Sequence, residues 1–205
     1  MPSDAVTPIP LLAASLRMTA VPSAVACSRK FVRHTLKRWQ LEEHADEAML
    51  IMSELVTNAV KASGITALKP KPWQIKAEHV IGIQLRAIEA SLYADVWDRT
   101  AAAPVRRNPM LDAESGRGLV LVESLAKQWD VFRPRSGGKV VWAELPLGMA
   151  VEEPSFDHQR PPLMLPEGIR AASGLVEQQA RTGLFEHLMD TTVEHMCAAH
   201  LDDGS

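Results

Sequence analysis

Residues 53–63, SELVTNAVKAS, place a glutamate and an asparagine four positions apart within an apolar run. On a helical wheel Glu54 and Asn58 fall about 40° apart, so they lie one turn from each other on the same side of a helix. Eight apolar residues occupy roughly 60° to 240° of that wheel, which puts both polar side chains at the border of the buried face: Ala48, Met49, Ile51, Met52, Leu55, Val56, Ala59 and Val60. Two interpretations fit this position: a solvated polar edge, or a pair of side chains that reach into a cleft beside the helix.

The composition is that of a soluble globular protein, with 46% hydrophobic and 23% charged residues among 205. No apolar run approaches the roughly 20 residues of a membrane span, and the N-terminal segment lacks the basic region of a secretory signal. Cys27 and Cys197 lie far apart and form no metal-binding pattern. We therefore expect free thiols, a cytoplasmic location and no membrane partner.

Charge is distributed unevenly along the chain, whose net charge is −3. Residues 150–205 hold ten acidic residues and three arginines, a net charge of −7, which leaves +4 for residues 1–149. Because neither a long basic stripe nor a basic helix is visible, we expect no direct contact with nucleic acid. A mildly basic body does suit an anionic ligand.

Three helices are predicted in the body of the chain. The first begins at about Pro22 and ends near Trp39, and the second runs from Asp46 to Ser63, where Gly64 stops it. The third covers 118–128. A possible strand near Leu11–Met18 precedes all of them.

Four further strands are predicted from apolar runs and alternation. They cover 79–88, 90–98, 129–134 and 139–147, with a tight turn near Ala87–Ala90 and another at Ser136-Gly137-Gly138. The segments 66–74 and 99–115 are expected to be loops. Since helices come first and antiparallel strands follow, the pattern favours an α+β sandwich with helices on one face of a sheet.

The C-terminal quarter of the chain is expected to lie outside this domain. We divide the sequence into an N-terminal arm and first strand (1–19), a main domain (20–148), a proline-rich linker (149–168) and an acidic tail (169–205). One helix, roughly Ile169–His200, is predicted in the tail. Its apolar residues recur at spacings of three and four: Leu184, Phe185, Leu188, Met189, Val193 and Met196. This stripe either packs within the protein or its dimer, or docks on a partner.

A glycine-containing stretch, ESGRGLVLVESLA at 114–126, opens the third predicted helix. Gly116 and Gly118 flank Arg117, and the N–H groups of a helix start favour phosphate. A simple helix-start turn is the alternative. The dinucleotide fingerprint is excluded because Leu121 stands where its third glycine would be, and a P-loop Gly-Lys-Ser/Thr is absent.

Asp98 ends the strand LYADVWD and opens the long loop. An aspartate at this position often caps a turn. It can equally accept a hydrogen bond from an exocyclic amine such as that of adenine.

The motifs ELVTNAV, VWD, SGRGL and GGKVVWAELP occur in this order over about residues 20–147. The order resembles the histidine-kinase-like ATPases of the GHKL superfamily, and most closely the anti-sigma-factor serine/threonine kinases of the RsbW and SpoIIAB type found in actinobacteria. The resemblance implies a Bergerat-type two-layer α/β sandwich, with helices on one face of a mixed, mostly antiparallel sheet. The C-terminal helical extension has no counterpart in the minimal domain.

The resemblance also implies roles for individual residues, with ATP and Mg²⁺ as cofactors. Asn58 matches the asparagine that coordinates Mg²⁺, and Glu54 the glutamate thought to act as general base toward a substrate hydroxyl. Asp98 matches the aspartate that recognises the adenine amine. The phosphate-binding box corresponds to Gly116, Arg117, Gly118 and Leu119, and the loop 99–115 to the ATP lid. Arg106 and Arg107 either add positive charge around the phosphates or are solvated loop residues.

Three functions are compatible with these features. The first is a kinase that phosphorylates an anti-sigma antagonist, binds a sigma factor directly, or both. A homodimer is compatible with this function. The second is a nucleotide-dependent protein-binding module without catalysis, which the absence of a glycine shortly after Asp98 and of a histidine in Lys61-Ala62-Ser63 would favour. The third, a stand-alone ATPase or detached histidine-kinase domain, ranks last because no phosphoacceptor-histidine helix precedes the body.

Overall fold

The computed structural model of the chain describes residues 10–63, 65, 70–76, 79–100, 117–134, 137–151 and 163–164. Several predictions from the sequence concern residues outside these ranges: the stop at Gly64, the lid beyond Thr100, Arg106, Arg107, Gly116 and the tail helix. None of the helices in the described ranges has the length and hydropathy that a bilayer span requires.

A six-stranded sheet forms the centre of the molecule, in the order β4-β5-β3-β2-β1-β6. Every pairing between these described strands is antiparallel. The strands are β1 Pro10–Thr19, β2 Val80–Ile88, β3 Ser91–Asp98, β4 Gln128–Phe132, β5 Lys139–Pro146 and β6 Leu163–Met164. The α+β fold expected from the sequence is thereby confirmed. Within the segment predicted to be a linker, β6 pairs with the start of β1.

Three helices pack on one face of this sheet: α1 Ser23–Arg38, α2 Ala45–Ser63 and α3 Arg117–Leu125. Pro22 precedes α1, as predicted, because its fixed φ suits a helix start. The side chains between helices and sheet form one apolar core, whose largest fully buried members include Leu36, Ile51, Met52, Leu55, Ile83, Leu85, Leu92 and Leu145. The layer of helices is therefore held to the sheet by burial of apolar side chains.

We use the name "second face" for the side of the sheet that points away from α1, α2 and α3. Four of its buried residues are polar: Gln84, Arg86, Asp95 and Glu144. Arg86 and Asp95 form a bidentate ion pair, with Nε–Oδ2 at 2.7 Å and Nη2–Oδ1 at 2.8 Å. A second, small apolar cluster lies on the same face, with Val140 contacted by Trp97, Phe132 and Trp142.

Glu144 is the centre of a polar cluster on the second face. Its carboxylate accepts hydrogen bonds from Ser91, from the Lys127 ammonium at 2.9 Å and from Gln128. Burial raises the pKa of Glu144, but these donors and the Lys127 charge outweigh it, so the pKa lies below its ordinary value of 4.5. The same hydrogen bond and charge raise the pKa of Lys127 above 10.5.

One expectation from the sequence is wrong. Cys27, on α1, is disulfide-bonded and carries no free thiol. The bonded state of a cysteine depends on tertiary contacts, which a local sequence pattern does not encode. Cys197, the other cysteine, lies outside the described residues.

Candidate functional site

The polar border of α2 is where the helical wheel places it. Glu54 and Asn58 are partly exposed, while the apolar residues between them are buried. The hydroxyl groups of Ser53 and Thr57 donate hydrogen bonds to the carbonyl oxygens one turn earlier, at 2.6 and 2.7 Å, so both find an acceptor within the helix. Within the described part of the chain, no hydrogen bond is formed by the side chains of Glu54 and Asn58.

The start of α3 lies directly against Glu54. A Cβ added to Gly118 would overlap the carboxylate oxygen Oε2 of Glu54 and lie 3.3 Å from its Cδ. Because only glycine leaves room for this approach, the structure brings together two residues that the sequence analysis assigned to one site. Arg117 is the first residue of α3, and Leu119 is buried, with its side chain 4% exposed. Gly116 lies outside the described residues.

Asp98 ends β3 with its side chain on the helix-bearing face, 2% exposed. Its cross-strand partner on β5 is Lys139, whose Nζ lies 2.8 Å from Asp98 Oδ1. The same oxygen accepts hydrogen bonds from the backbone N–H of Thr100, at 2.9 Å, and from the Thr100 hydroxyl. Lys139 also donates to the carbonyl and hydroxyl oxygens of Thr100. The three donors described here all converge on Oδ1.

Lys139 and Thr100 were not identified as site residues from the sequence. Lys139 belongs to the motif GGKVVWAELP, in which its position before an apolar strand gives no indication of a buried partner. The signal is the strand register: once β3 and β5 are paired, Lys139 lies opposite Asp98. A lysine opposite an aspartate on a buried face is expected to form an ion pair.

The turn between β4 and β5 supports the end of β3. Gly137 and Gly138 both have positive φ, 92° and 79°, which confirms the glycine turn predicted there. A Cβ on Gly138 would overlap the carbonyl oxygen of Asp98, and the Trp97 indole N–H donates to the Gly137 carbonyl at 3.1 Å. The backbone at Asp98 is thus fixed by the turn as well as by its own strand.

These groups form a set suited to a nucleotide with a metal. In the described residues no three His, Cys, Asp or Glu side chains converge, so the chain has no preformed cage of such ligands there. Mg²⁺ takes few protein ligands and keeps waters and phosphate oxygens, and the partly exposed Asn58 amide fits that demand. The residues therefore fit Mg²⁺ that is brought together with a polyphosphate.

Of the comparisons with known proteins, a match to a family model identifies the family. A search of curated proteins gives no significant match. Among solved structures, the chain is similar to the RsbU and RsbW domains of Rv1364c from Mycobacterium tuberculosis, at 16% identity and a TM-score of 0.44. The match covers 68% of this chain and 32% of that one, and it is too distant to support a statement about function. Residues 18–145, more than half of the chain, match the histidine kinase-like ATPase domain. The chain belongs to the family of histidine kinase-like ATPase domains.

Proposed function

We propose that this protein binds Mg-ATP beside α2 and the start of α3 and transfers the γ-phosphoryl group to a serine or threonine of a protein partner. The observation that carries the proposal is the apposition of Glu54 and Gly118, with Asn58 one turn further along α2. Family membership implies ATP binding. The motif resemblance to anti-sigma-factor kinases makes an anti-sigma antagonist the expected substrate and a sigma factor a possible direct partner.

The proposed role of each residue follows from the chemistry of its side chain or backbone. Asn58 would hold Mg²⁺ through its amide oxygen, and the ion would neutralise phosphate charge. The N–H groups at the start of α3, from Arg117 to Leu119, would bind phosphate oxygens, since no side chain at Gly118 blocks the approach. Asp98 would accept a hydrogen bond from the adenine amine.

Glu54 would act as the general base. Its carboxylate lies beside the phosphate-binding start of α3, where an incoming hydroxyl must arrive. The carboxylate would accept the proton of the serine or threonine hydroxyl as the oxygen attacks phosphorus.

Calorimetry of Mg-ATP binding tests the site before any partner is known. We expect measurable binding to the wild type and a loss for Asn58→Ala, with Glu47→Ala, an exposed change in the first turn of the same helix, as the matched control. Equal affinity of the Asn58→Ala variant and the wild type would remove Asn58 as the metal ligand. No binding to the wild type would refute the nucleotide site itself.

Phosphate transfer to a purified antagonist tests the chemistry. Glu54→Gln is expected to lower the transfer rate by roughly 10²–10⁴-fold, the range for loss of a general base, while sparing ATP affinity. Glu47→Gln is the control. Normal transfer by Glu54→Gln would remove Glu54 as the base.

A second function, a nucleotide-dependent binding module without catalysis, is favoured by one observation. Asp98 Oδ1 already accepts three hydrogen bonds from Lys139 and Thr100, so the adenine amine would have to compete with these donors for that oxygen. ATP binding without transfer to any antagonist would support this alternative. In either case the tail and a possible homodimer would modulate partner association rather than nucleotide chemistry.

A further inference from the structure

The exposed face of α1 carries no negative charge. We call it the basic face, and its exposed basic residues are Arg29, Lys30, Arg33, His34, Lys37 and Arg38. No aspartate or glutamate occurs among the residues of Ser23–Arg38. Four residues interrupt these cations in the sequence and conceal the basic helix from a linear reading: Phe31, Val32, Thr35 and Leu36. The helix turns all four onto its buried side, so the cations share the surface.

The residues of the basic face form two rows along the helix. Successive members of each row are four positions apart: Arg29, Arg33 and Lys37 in one, and Lys30, His34 and Arg38 in the other. Because four residues rise about 6 Å along a helix, each row presents a side chain at every turn over roughly 12 Å. Rows of residues spaced by four are the ridges between which a second helix packs. The spacing therefore suits a helical partner whose carboxylates repeat at the same interval.

The stability of α1 does not explain this arrangement. Lys37 and Arg38 lie in the last turn, where the helix dipole favours cations. Arg29 and Arg33 lie further from that end, and like charges four residues apart destabilise a helix. A helix face that is only solvated typically alternates the sign of its charges. Binding of an anionic partner accounts for a face of one sign.

An acidic segment limits the basic face at the C-terminal end of α1. It comprises a short 3-10 helix and the first turn of α2, and its exposed carboxylates are those of Glu42, Glu43, Asp46 and Glu47. The N–H of Leu41 donates to the carbonyl oxygen of Leu36 at 2.9 Å, which holds the start of this segment against the end of α1. A long polyanion lying along α1 would meet these carboxylates, whereas a partner of limited length would not.

Nucleic acids and membranes fit the basic face less well than an acidic protein helix. Duplex DNA carries one negative charge per roughly 1.7 Å and extends beyond a patch of this length. Single strands use aromatic side chains for stacking, and a membrane-surface helix needs its apolar side free for lipid. The apolar side of α1 is buried in the core, and its exposed residues outside the basic face are Ser23 and Ala26. The surface of α1 thus lacks the groups that those partners require.

We propose that the basic face of α1 binds an acidic helix of a protein partner, whose carboxylates, repeated at intervals of four residues, lie along its two rows. The contact is electrostatic, so it accelerates association and fixes the orientation of the partner more than it adds affinity. None of the residues assigned to the nucleotide site belongs to this face, and the docking does not depend on the proposed phosphoryl transfer.

Binding of a labelled peptide to the full-length chain tests this surface. The probe is an alanine-rich helical peptide with three glutamates placed four residues apart, followed by fluorescence anisotropy at low ionic strength. We expect binding that salt at about 0.5 M screens. Arg33→Glu should weaken it roughly tenfold, because like charges then face each other in the middle of one row. Lys71→Glu, the same charge reversal at an exposed lysine outside α1, should leave the affinity unchanged.

The Arg33→Glu variant is expected to fold at least as well as the wild type, since it creates opposite-charge pairs with Arg29 and Lys37. Its affinity for Mg-ATP should equal that of the wild type, which separates this test from that of the nucleotide site. A peptide of the same composition, with its glutamates on three different sides of the helix, should bind more weakly than the first.

Three outcomes would overturn the proposal. The first is equal binding of the patterned peptide by the wild type and Arg33→Glu, or no binding by either. The second is equal affinity of the wild type for the two peptides, which would mean that net charge alone is recognised. The third is that Arg33→Glu weakens binding of a short DNA duplex or of phosphatidylserine vesicles and leaves peptide binding unchanged. The partner would then be a nucleic acid or a membrane.

Discussion

Lys139 on β5 lies directly opposite Asp98 on β3, and their side chains form an ion pair in which both are no more than 4% exposed. Removing one partner of such a pair leaves a buried charge without compensation. We expect Lys139→Met to lower the free energy of unfolding by about 3–5 kcal/mol, measured by urea denaturation.

The control for this change is Lys127→Met. Lys127 also pairs with a buried carboxylate, that of Glu144, but its own side chain is 61% exposed. Exposed partners contribute little because water screens them, so a much smaller loss of stability is expected for Lys127→Met than for Lys139→Met. Equal losses in the two variants would show that burial of the Asp98–Lys139 pair is not what stabilises it.

The effect of Gly118→Ala on stability should depend on the side chain at position 54. Alanine normally stabilises a helix by about 0.5–1 kcal/mol relative to glycine, but here its Cβ would displace the Glu54 carboxylate. We therefore expect Gly118→Ala to raise the free energy of unfolding by this full amount in the Glu54→Ala background. In the wild-type background the increase should be smaller, or the free energy of unfolding should fall. A double-mutant cycle followed by chemical denaturation measures the difference. Additive effects would mean that the two residues do not meet in solution.

Gln84→Met should be neutral or stabilising. Both amide atoms of Gln84 are buried, and neither has a hydrogen-bond partner among the described residues. An apolar side chain of similar size removes these unsatisfied groups. Arg86→Met, next but one on β2, is the contrasting variant, because it leaves Asp95 unpaired and should cost about 3–5 kcal/mol. A clear loss of stability in Gln84→Met would indicate that the amide is hydrogen-bonded in solution.

The pH dependence of stability should report Glu144. Its pKa is lowered in the folded protein, so its stabilising effect is present above the ordinary value of 4.5 and fades as the pH falls through the folded pKa. Glu144→Gln should therefore be less stable than the wild type at pH 7, and the gap should narrow below pH 4.5. Denaturation curves between pH 7 and 3 measure it, with the exposed change Glu42→Gln as control. A stability difference between the two proteins that stays constant with pH would contradict the lowered pKa of Glu144.

Most of the fold could be predicted because its elements carry strong periodicity. The helix that holds Glu54 and the antiparallel strands 80–88 and 91–98 begin and end within one or two residues of the prediction. Strand β6 could not be predicted, since two residues in a proline-rich segment have no period to detect. It forms because its backbone pairs with β1 at the edge of the sheet.

The candidate site was partly predictable for a different reason. Local motifs placed Glu54, Asn58 and Gly118, and the structure brings Glu54 and Gly118 together. Lys139 was missed because its role depends on the register between two strands that are distant in sequence. The bonded state of Cys27 depends in the same way on contacts that no local pattern encodes.

The strand order has a consequence for the order of folding. Strands β2 and β3 form one hairpin and β4 and β5 another, each closed by a short turn. The pairing of β3 with β5 joins them, and Asp98 and Lys139 meet across that seam. Non-local pairings form after local ones because they cost more loop-closure entropy. The ion pair of Asp98 and Lys139 would therefore be absent from any intermediate in which the hairpins have formed but not docked. A nucleotide analogue added during refolding would then bind only after the two hairpins have joined.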